Sequence, residues 1–239
     1  MKRPKRYQRK INALNLIAYS SEIAKKEFKQ LVTFSRDKDP MIRCRVAEIL
    51  MDKRLRNHAS KKLLMHLACD RSNLVRTRAY SCLSVYDIFE VELFLKRAIQ
   101  KEKNTSVCHH AIESWVDIVM SLHDDCEYDI YFVKGLLEQR KIQESEHCLL
   151  ESYYALYQFG EPDMIPKIMK FLESKDISVR AAVLRILQEI VDEDNLLEVI
   201  EAMEGLLKNT ESWDLVKVIL PYWRRFIVKY TEMTYKSSC

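Results

Sequence analysis

The clearest indication of the fold is the segment Asp176-Ile-Ser-Val-Arg-Ala-Ala-Val-Leu-Arg-Ile-Leu187. It opens with a turn residue, continues with an apolar anchor (Val179) and a basic residue (Arg180), and then repeats apolar residues three and four positions apart. That spacing is typical of one face of an α-helix. The same order recurs in copies that begin at Asp39, Ser72, Thr105 and, more weakly, Glu144. The sequence therefore predicts a repeated helical unit.

The repeats follow one another at a nearly constant distance. We take Ile42, Val75, Val107, Ser145 and Val179 as equivalent anchors, which gives a period of about 34 residues. A second amphipathic stretch lies between consecutive anchors, so each repeat is predicted to contain two helices. A sixth copy is expected to begin near Trp213.

The composition excludes several other classes of protein. Only 3 Gly and 5 Pro stand among 239 residues, too few for the turns of an all-β protein. No apolar run reaches the roughly 18 residues of a membrane span, and the basic start is a poor signal peptide. The 7 cysteines contain no C-x-x-C pair and favour reduced thiols. We expect a cytoplasmic protein without a membrane span.

The motif D-x-x-V-R-x-x-A at the start of the second helix resembles HEAT repeats, best at 39–50 and 176–187. The resemblance covers roughly residues 20–230. It implies an all-α fold, an α-solenoid of about six HEAT-like helical hairpins in a curved right-handed superhelix. We expect a basic N-terminal arm or cap helix over 1–20, a single repeat domain over 21–230 and a C-terminal tail over 231–239.

The resemblance also implies a role for the repeated polar residues. In HEAT arrays, the turn Asp and the Arg after the anchor form hydrogen bonds within and between neighbouring repeats. The residues of this chain that match those positions are therefore expected to be scaffold: Asp39, Arg43, Arg76, Asp176 and Arg180.

The second helices line the concave face in this family, so their outward side chains are candidates for partner binding. Stacking the copies places Glu113, Asp117 and Glu151 in a contiguous acidic strip near aromatic residues. An acidic groove with aromatics would suit a basic protein partner. The alternative is a solvated helix face, with Trp115 in the core. The candidate partner-binding residues are Glu48, Asp52, Glu113, Trp115, Asp117, Glu151, Tyr154, Arg185 and Glu189.

Charge is distributed unevenly along the chain. Residues 1–110 hold 25 Lys and Arg against 11 Asp and Glu, whereas residues 111–239 hold 14 against 24. In a solenoid, sequence order becomes position along the rod, so the two ends are expected to differ in charge.

Catalytic and metal-binding patterns are weak. His109 and Glu113 are four residues apart and could supply two metal ligands, but the spacing identifies no third. Cys108 and the adjacent histidines point in divergent directions on one helix, which is poor geometry for a nucleophile and its base. No Gly-rich phosphate loop exists. We therefore predict no metal, no cofactor and no enzymatic activity.

Three functions follow from the sequence, and the third, a regulatory subunit of an enzyme complex, cannot be separated from the first by sequence. The first is a non-enzymatic protein-binding scaffold, adaptor or inhibitor, for instance an immunity-type protein that neutralises a basic toxin, acting as a monomer or bound to its partner. The second is nucleic-acid binding or DNA repair, because HEAT-like alkylpurine DNA glycosylases are of similar length, although the acidic second half departs from their pattern. The phosphate-contacting candidates would be Arg45, Arg78, His110, Lys5, Arg6 and Arg9.

Overall fold

A computed structural model describes residues 5–20, 23–86, 88–123, 126–192, 195–209 and 213–237. Across these ranges, the regular secondary structure consists of α-helices and short 3-10 helices, without a strand. The predicted all-α class is confirmed. The chain divides into two compact units, Met1–Lys141 and Ile142–Cys239.

The first unit contains one leading helix, three helical hairpins and a further helix. Within each hairpin the two helices pack together, and α1, α3, α5 and α7 also pack side by side in chain order. A 3-10 turn, Lys53–Leu55, joins α3 to α4. The helices are α1 (Lys5–Tyr19), α2 (Lys25–Phe34), α3 (Pro40–Leu50), α4 (His58–Leu67), α5 (Asn73–Leu83), α6 (Phe89–Lys101), α7 (Thr105–Leu122) and α8 (Glu127–Leu137).

The second unit begins within the short helix α9 (Arg140–Gln143). Helix α10 packs against α11 and α12, and α14 packs against α12 and α13. Two 3-10 turns, Pro162–Met164 and Lys170–Glu173, flank α11. The helices of this unit are α10 (Glu146–Gln158), α11 (Ile165–Met169), α12 (Ile177–Ile190), α13 (Leu196–Asn209) and α14 (Trp213–Ser237).

The order of the described helices agrees with the predicted repeats. Helix α14 begins at Trp213, where the sixth copy was expected. The predicted domain borders differ from the structure. The repeats separate into two units after Lys141, and α14 continues through 231–237, which we predicted as a tail. No Gly or Pro interrupts residues 231–237, so nothing in this stretch stops the helix.

The predicted N-terminal arm is a packed helix over its described part. Leu14 and Ile17 of α1 are buried, and α1 lies against α3 in the same row as the later second helices. Among the described residues, no helix has the length and apolar character that a membrane crossing requires.

A buried ion pair connects consecutive repeats of the first unit. Arg43 Nε and Nη2 donate to the two carboxylate oxygens of Asp70, each at 2.7 Å. Arg43 Nη1 donates to the carbonyl oxygen of Asp37 at 2.6 Å, and the Ser72 N–H donates to Asp70 Oδ1 at 2.8 Å. One guanidinium therefore fixes the turn before its own helix and the turn of the next repeat. We call this arrangement a rung, and we call the series of rungs along the first unit the ladder.

The same rung recurs on either side. Lys10 pairs with Asp37, and Arg76 donates to Glu102 at 2.7 and 2.9 Å. In the next second helix, Cys108 stands where Arg43 and Arg76 stand in theirs. This repeat therefore has no arginine for a rung. Instead, Lys141 Nζ donates to the carbonyl oxygens at the end of α6, those of Ile99, Gln100 and Glu102.

The hydrogen bonds confirm the scaffold roles that the HEAT resemblance implied. Asp39 caps α3 by accepting the Met41 N–H at 2.9 Å, and Asp176 caps α12 by accepting the Ser178 N–H at 2.8 Å. Arg180 donates to the carbonyl oxygen of Ser174 in the turn before its own helix. Arg43 and Arg76 make the equivalent hydrogen bonds to the carbonyl oxygens of Asp37 and Asp70.

The rungs hold their carboxylates ionised. Burial opposes the ionisation of Asp70, but hydrogen bonds from Arg43 and from the Ser72 N–H outweigh it and lower the pKa of Asp70 below the ordinary 3.8. Burial likewise opposes the ionisation of Glu102, and Arg76 lowers the pKa of Glu102 below 4.5. Such groups contribute stability above their ordinary pKa and lose it as the pH falls through the lowered value.

The variant Asp70→Asn tests the ladder. It leaves the Arg43 guanidinium, whose side chain is 5% exposed, without its counter-charge, so we expect the free energy of unfolding at neutral pH to fall by about 3 kcal/mol. Below about pH 4 the wild type loses the same contribution, and the difference should narrow. Urea unfolding at neutral and acidic pH measures both. Glu138→Gln, at an exposed carboxylate directly after α8, is the control. A loss no larger than the control's would contradict the ladder.

Candidate functional site

The candidate site is the exposed stripe of the second helices in the first unit. Counted from the buried anchors of α3, α5 and α7, it occupies positions −1, +3, +6 and +10, which lie within about 60° of one another around a helix. We call it the second-helix face. Its members are Met41, Arg45, Glu48, Asp52, Leu74, Arg78, Ser81, Val85, Ser106, His110, Glu113 and Asp117.

Opposite charges on this face pair with one another. Arg45 Nη1 lies 3.0 Å from Glu48 Oε2, and Arg78 Nε lies 3.3 Å from Glu48 Oε1. Arg45 Nη2 also donates to Asn15 Oδ1 of α1 at 3.1 Å. Glu48 therefore bridges α3 and α5. In this part of the face, positive and negative side chains pair with one another. Asp52 lies at the end of α3, where hydrogen bonds from Arg54 lower its pKa to about 2.

Two further acidic residues of the face, Glu113 and Asp117, lie on α7. His110 Nδ1 is 3.2 Å from Glu113 Oε2, and the rings of His109 and His110 lie 3.9 Å apart. Asp117 is exposed one turn beyond Glu113. Among the described residues, no group of three or more His, Cys, Asp and Glu side chains could hold a metal ion.

Two apolar side chains on the face were missed by the sequence analysis. Met41 and Leu74 are 41% and 49% exposed, and each directly precedes the anchor of its helix. Because α3 packs against α5, these equivalent positions belong to neighbouring helices. Their signal in the sequence is an apolar residue at position −1, which the helical period assigns to the exposed stripe.

Trp115 was predicted to bind a partner, and this prediction is wrong. Its side chain is fully buried and meets the Phe132 ring edge-on at 4.9 Å between centroids. Trp115 stands at position +8, which Leu50 and Leu83 occupy in the preceding repeats, both of them also buried. The same helical period that exposes position +6 turns position +8 into the core.

A buried charge network lies beside Trp115. Lys96 Nζ is 2.8 Å from Glu92 Oε1, 2.7 Å from Asp129 Oδ1 and 5.5 Å from the centroid of the Trp115 ring. His123 Nε2 lies 2.9 Å from the second oxygen of Glu92. Burial opposes the ionisation of Glu92, but its hydrogen bonds with Lys96 and His123 lower its pKa. The network joins α6 to α8 and has a structural role.

Burial also affects the chemistry of three cysteines, Cys44, Cys82 and Cys108. Cys108 is fully buried, and its Sγ lies 3.7 Å from the carbonyl oxygen of Ile99. The described cysteines are free thiols. Burial raises the pKa of Cys44 to about 11 and that of Cys82 to about 12, so these thiols are poor nucleophiles.

The fifth copy of the repeat was placed three residues too early. Asn104 caps α7 three residues before its anchor, and its Oδ1 accepts the Val107 N–H at 3.1 Å. In α10, Ser145 is the cap, because its Oγ accepts the Cys148 N–H at 3.4 Å. Cys148, which is fully buried, is therefore the anchor in place of Ser145.

This shift changes the predicted acidic strip. Glu151 moves from position +6 to +3 and is only 3% exposed, with its Oε1 at 3.4 Å from Arg185 Nη2. Position +6 is Tyr154, whose hydroxyl donates to Glu189 Oε2 at 2.7 Å. Burial and this carboxylate raise the pKa of Tyr154. The second unit thus brings four candidate residues into one network, but Glu151 is not the exposed acid that we expected beside Glu113.

The basic residues predicted near the N-terminus divide between two locations. Arg6 and Arg9 are exposed on α1, and the side chain of Lys5 lies outside the described residues. Lys10 is part of the first rung of the ladder.

These features define a helical-repeat protein, in which consecutive hairpins stack and expose one stripe of each second helix. Among solved structures, the chain is similar to "the complex of CpcE and CpcF of phycocyanin lyase from Nostoc sp. PCC7120". The similarity has a TM-score of 0.57 at 15% sequence identity and covers 94% of this chain and 91% of that chain. No family model matches the sequence, and no curated protein matches it.

This similarity contradicts the prediction that the chain is not an enzyme. We based that prediction on missing catalytic motifs, but a chain with this fold belongs to a lyase. The absence of a motif in one sequence is thus no ground for excluding enzymatic activity. At 15% identity the similarity itself establishes the fold.

Substitutions of Ser145 test the corrected register of α10. Ser145→Ala removes a helix cap and should lower the free energy of unfolding by about 1 kcal/mol, whereas Ser145→Asp keeps a capping oxygen and should change it by less than about 0.5 kcal/mol. Thermal unfolding of the two variants provides the measurement. Were Ser145 a core anchor, the order would reverse, because a buried carboxylate costs more than a small cavity.

Proposed function

We propose that the chain is a HEAT-like scaffold that binds another protein through the second-helix face. The observation that carries the proposal is the pair of exposed apolar side chains, Met41 and Leu74, at equivalent positions of neighbouring helices. Covering such surface is favourable, and a protein interface commonly has an apolar centre with a polar rim. The paired charges of Arg45, Glu48 and Arg78 would supply that rim.

The solved structure supports a role within a complex. That structure is a complex of CpcE and CpcF of phycocyanin lyase, and the shared fold extends over nearly the whole of this chain. This similarity supports the proposal that the chain acts together with another protein, in an assembly that could be enzymatic.

The distribution of charge narrows the kind of partner. An immunity-type inhibitor of a basic toxin would need the acidic strip, but Glu151 is buried and paired with Arg185. The described charges of the second-helix face include both signs, so a partner of mixed charge fits better than a strongly basic one. The pairing of Arg45 and Arg78 with Glu48 likewise reduces the positive potential that a nucleic acid would meet on this face.

The double variant Met41→Asp/Leu74→Asp tests the proposal. Affinity capture with the tagged chain, followed by mass spectrometry, identifies the partner, and calorimetry with the purified partner gives the affinity. Because each apolar contact residue of an interface contributes at least about 1 kcal/mol when it is well packed, we expect the double variant to weaken binding by at least about 30-fold.

Leu93→Asp is the matched control. Leu93 is 36% exposed on α6, a first helix, and is not a member of the second-helix face. The control should keep wild-type affinity. If the double variant binds as tightly as the control, the second-helix face is not the binding surface.

A further inference from the structure

Three adjoining clefts run along the turns where the rungs of the ladder lie. Their volumes are about 420, 460 and 500 Å³. The first and second clefts share Asp37 and Lys38, and the second and third share Cys69 and Asp70, so the clefts adjoin one another in a row. We call this row of clefts the ladder edge. It belongs to the first unit and is separate from the second-helix face.

The ladder edge carries a large excess of positive charge. Its lining includes ten Lys and Arg side chains against four carboxylates. The rungs pair three of these carboxylates with Lys10, Arg43 and Arg76, and the fourth, Asp39, caps α3. Seven cations that no rung uses are exposed: Arg6, Arg36, Lys38, Arg71, Arg97, Lys101 and Lys103.

These cations are repeated along with the rungs. Arg36 and Lys38 flank Asp37, Arg71 follows Asp70, and Lys101 and Lys103 flank Glu102. Because neighbouring packed helices lie roughly 8–10 Å apart, successive groups of cations are spaced by about that distance. The result is a track of positive charge with a regular step. A polymer that carries a negative charge on every unit matches such a track.

The third cleft adds an apolar floor. Tyr80, which is 3% exposed, and the partly exposed Phe94 line it together with Ala68 and Ala98. Arg97 lines the same cleft, as do Lys101 and Lys103. Aromatic and apolar surface beside cations is the arrangement on which nucleobases stack while their phosphates are neutralised. A base within a duplex cannot enter such a cleft, whereas an unpaired base can.

We propose that the ladder edge binds single-stranded nucleic acid, with the phosphates along the exposed cations and a base in the third cleft. Guanidinium groups suit this task because their planar donors match phosphate oxygens. An acidic protein segment would satisfy the charge alone, and it would make no use of the apolar cleft.

Fluorescence anisotropy with labelled single-stranded RNA and DNA of about 20 nucleotides tests the proposal over a range of salt concentrations. If seven phosphates are neutralised, the slope of log K against log salt should be about −5. The variant Arg97→Gln/Lys101→Gln/Lys103→Gln removes three contacts, so its slope should be about −3 and its affinity at least ~10-fold lower. None of these residues belongs to a rung, and the thermal unfolding temperature should stay unchanged.

Matched controls separate this proposal from others. Lys25→Gln/Lys26→Gln/Lys29→Gln removes the same charge from exposed positions of α2 and should keep the wild-type affinity. Duplexes of the same sequence should bind more weakly than single strands. Three results would each overturn the proposal: an equal loss in the α2 variant, a larger loss in Arg45→Gln/Arg78→Gln, or polyglutamate displacing the strand as well as unlabelled RNA does. Loss of protein-partner binding in the Met41/Leu74 variant is independent of these readouts.

Discussion

The rung formed by Arg43 and Asp70 is the interaction on which the first unit depends. A buried guanidinium is stable only with a counter-charge and with acceptors for its remaining donors. Asp70 supplies the charge and the carbonyl oxygen of Asp37 accepts a further hydrogen bond. Because these two groups lie in consecutive turns, the rung sets the position of one repeat relative to the next. The packing of α3 against α5 follows from that constraint and from their buried anchors.

The same constraint produces two surfaces of different chemistry. On the stripe of the second helices, neighbouring repeats bring Arg45, Glu48 and Arg78 close enough to pair, so the charge is compensated. At the turns, each rung pairs one carboxylate with one basic side chain. The basic residues that flank these carboxylates in the sequence are exposed. A repeat thus supplies an amphipathic face and a basic edge from one helical hairpin.

The sequence predicted the helices and most anchors because buried aliphatic residues recur with the helical period. It failed at the fifth copy for a physical reason. The short helix α9 lengthens the connection, and a cysteine, Cys148, takes the place of the usual aliphatic anchor, so self-similarity selected Ser145. The error with Trp115 was avoidable, because position +8 is apolar in the preceding repeats. The pairing of Arg45 with Glu48 depends on side-chain conformation, which periodicity does not determine.

The uneven charge of the chain shows why a net value predicts little about binding. Residues 1–110 hold 25 Lys and Arg against 11 Asp and Glu, which suggested one positive end. In the first unit, the basic side chains lie in three kinds of location. Some cations, such as Arg43, are buried in rungs, and others, such as Arg78, pair across the second-helix face. Those beside the rungs, such as Lys101, remain exposed. Since exposed charge attracts a polyanion more strongly than buried or paired charge, the positions of the cations, and not their number, determine which surfaces of this unit are basic.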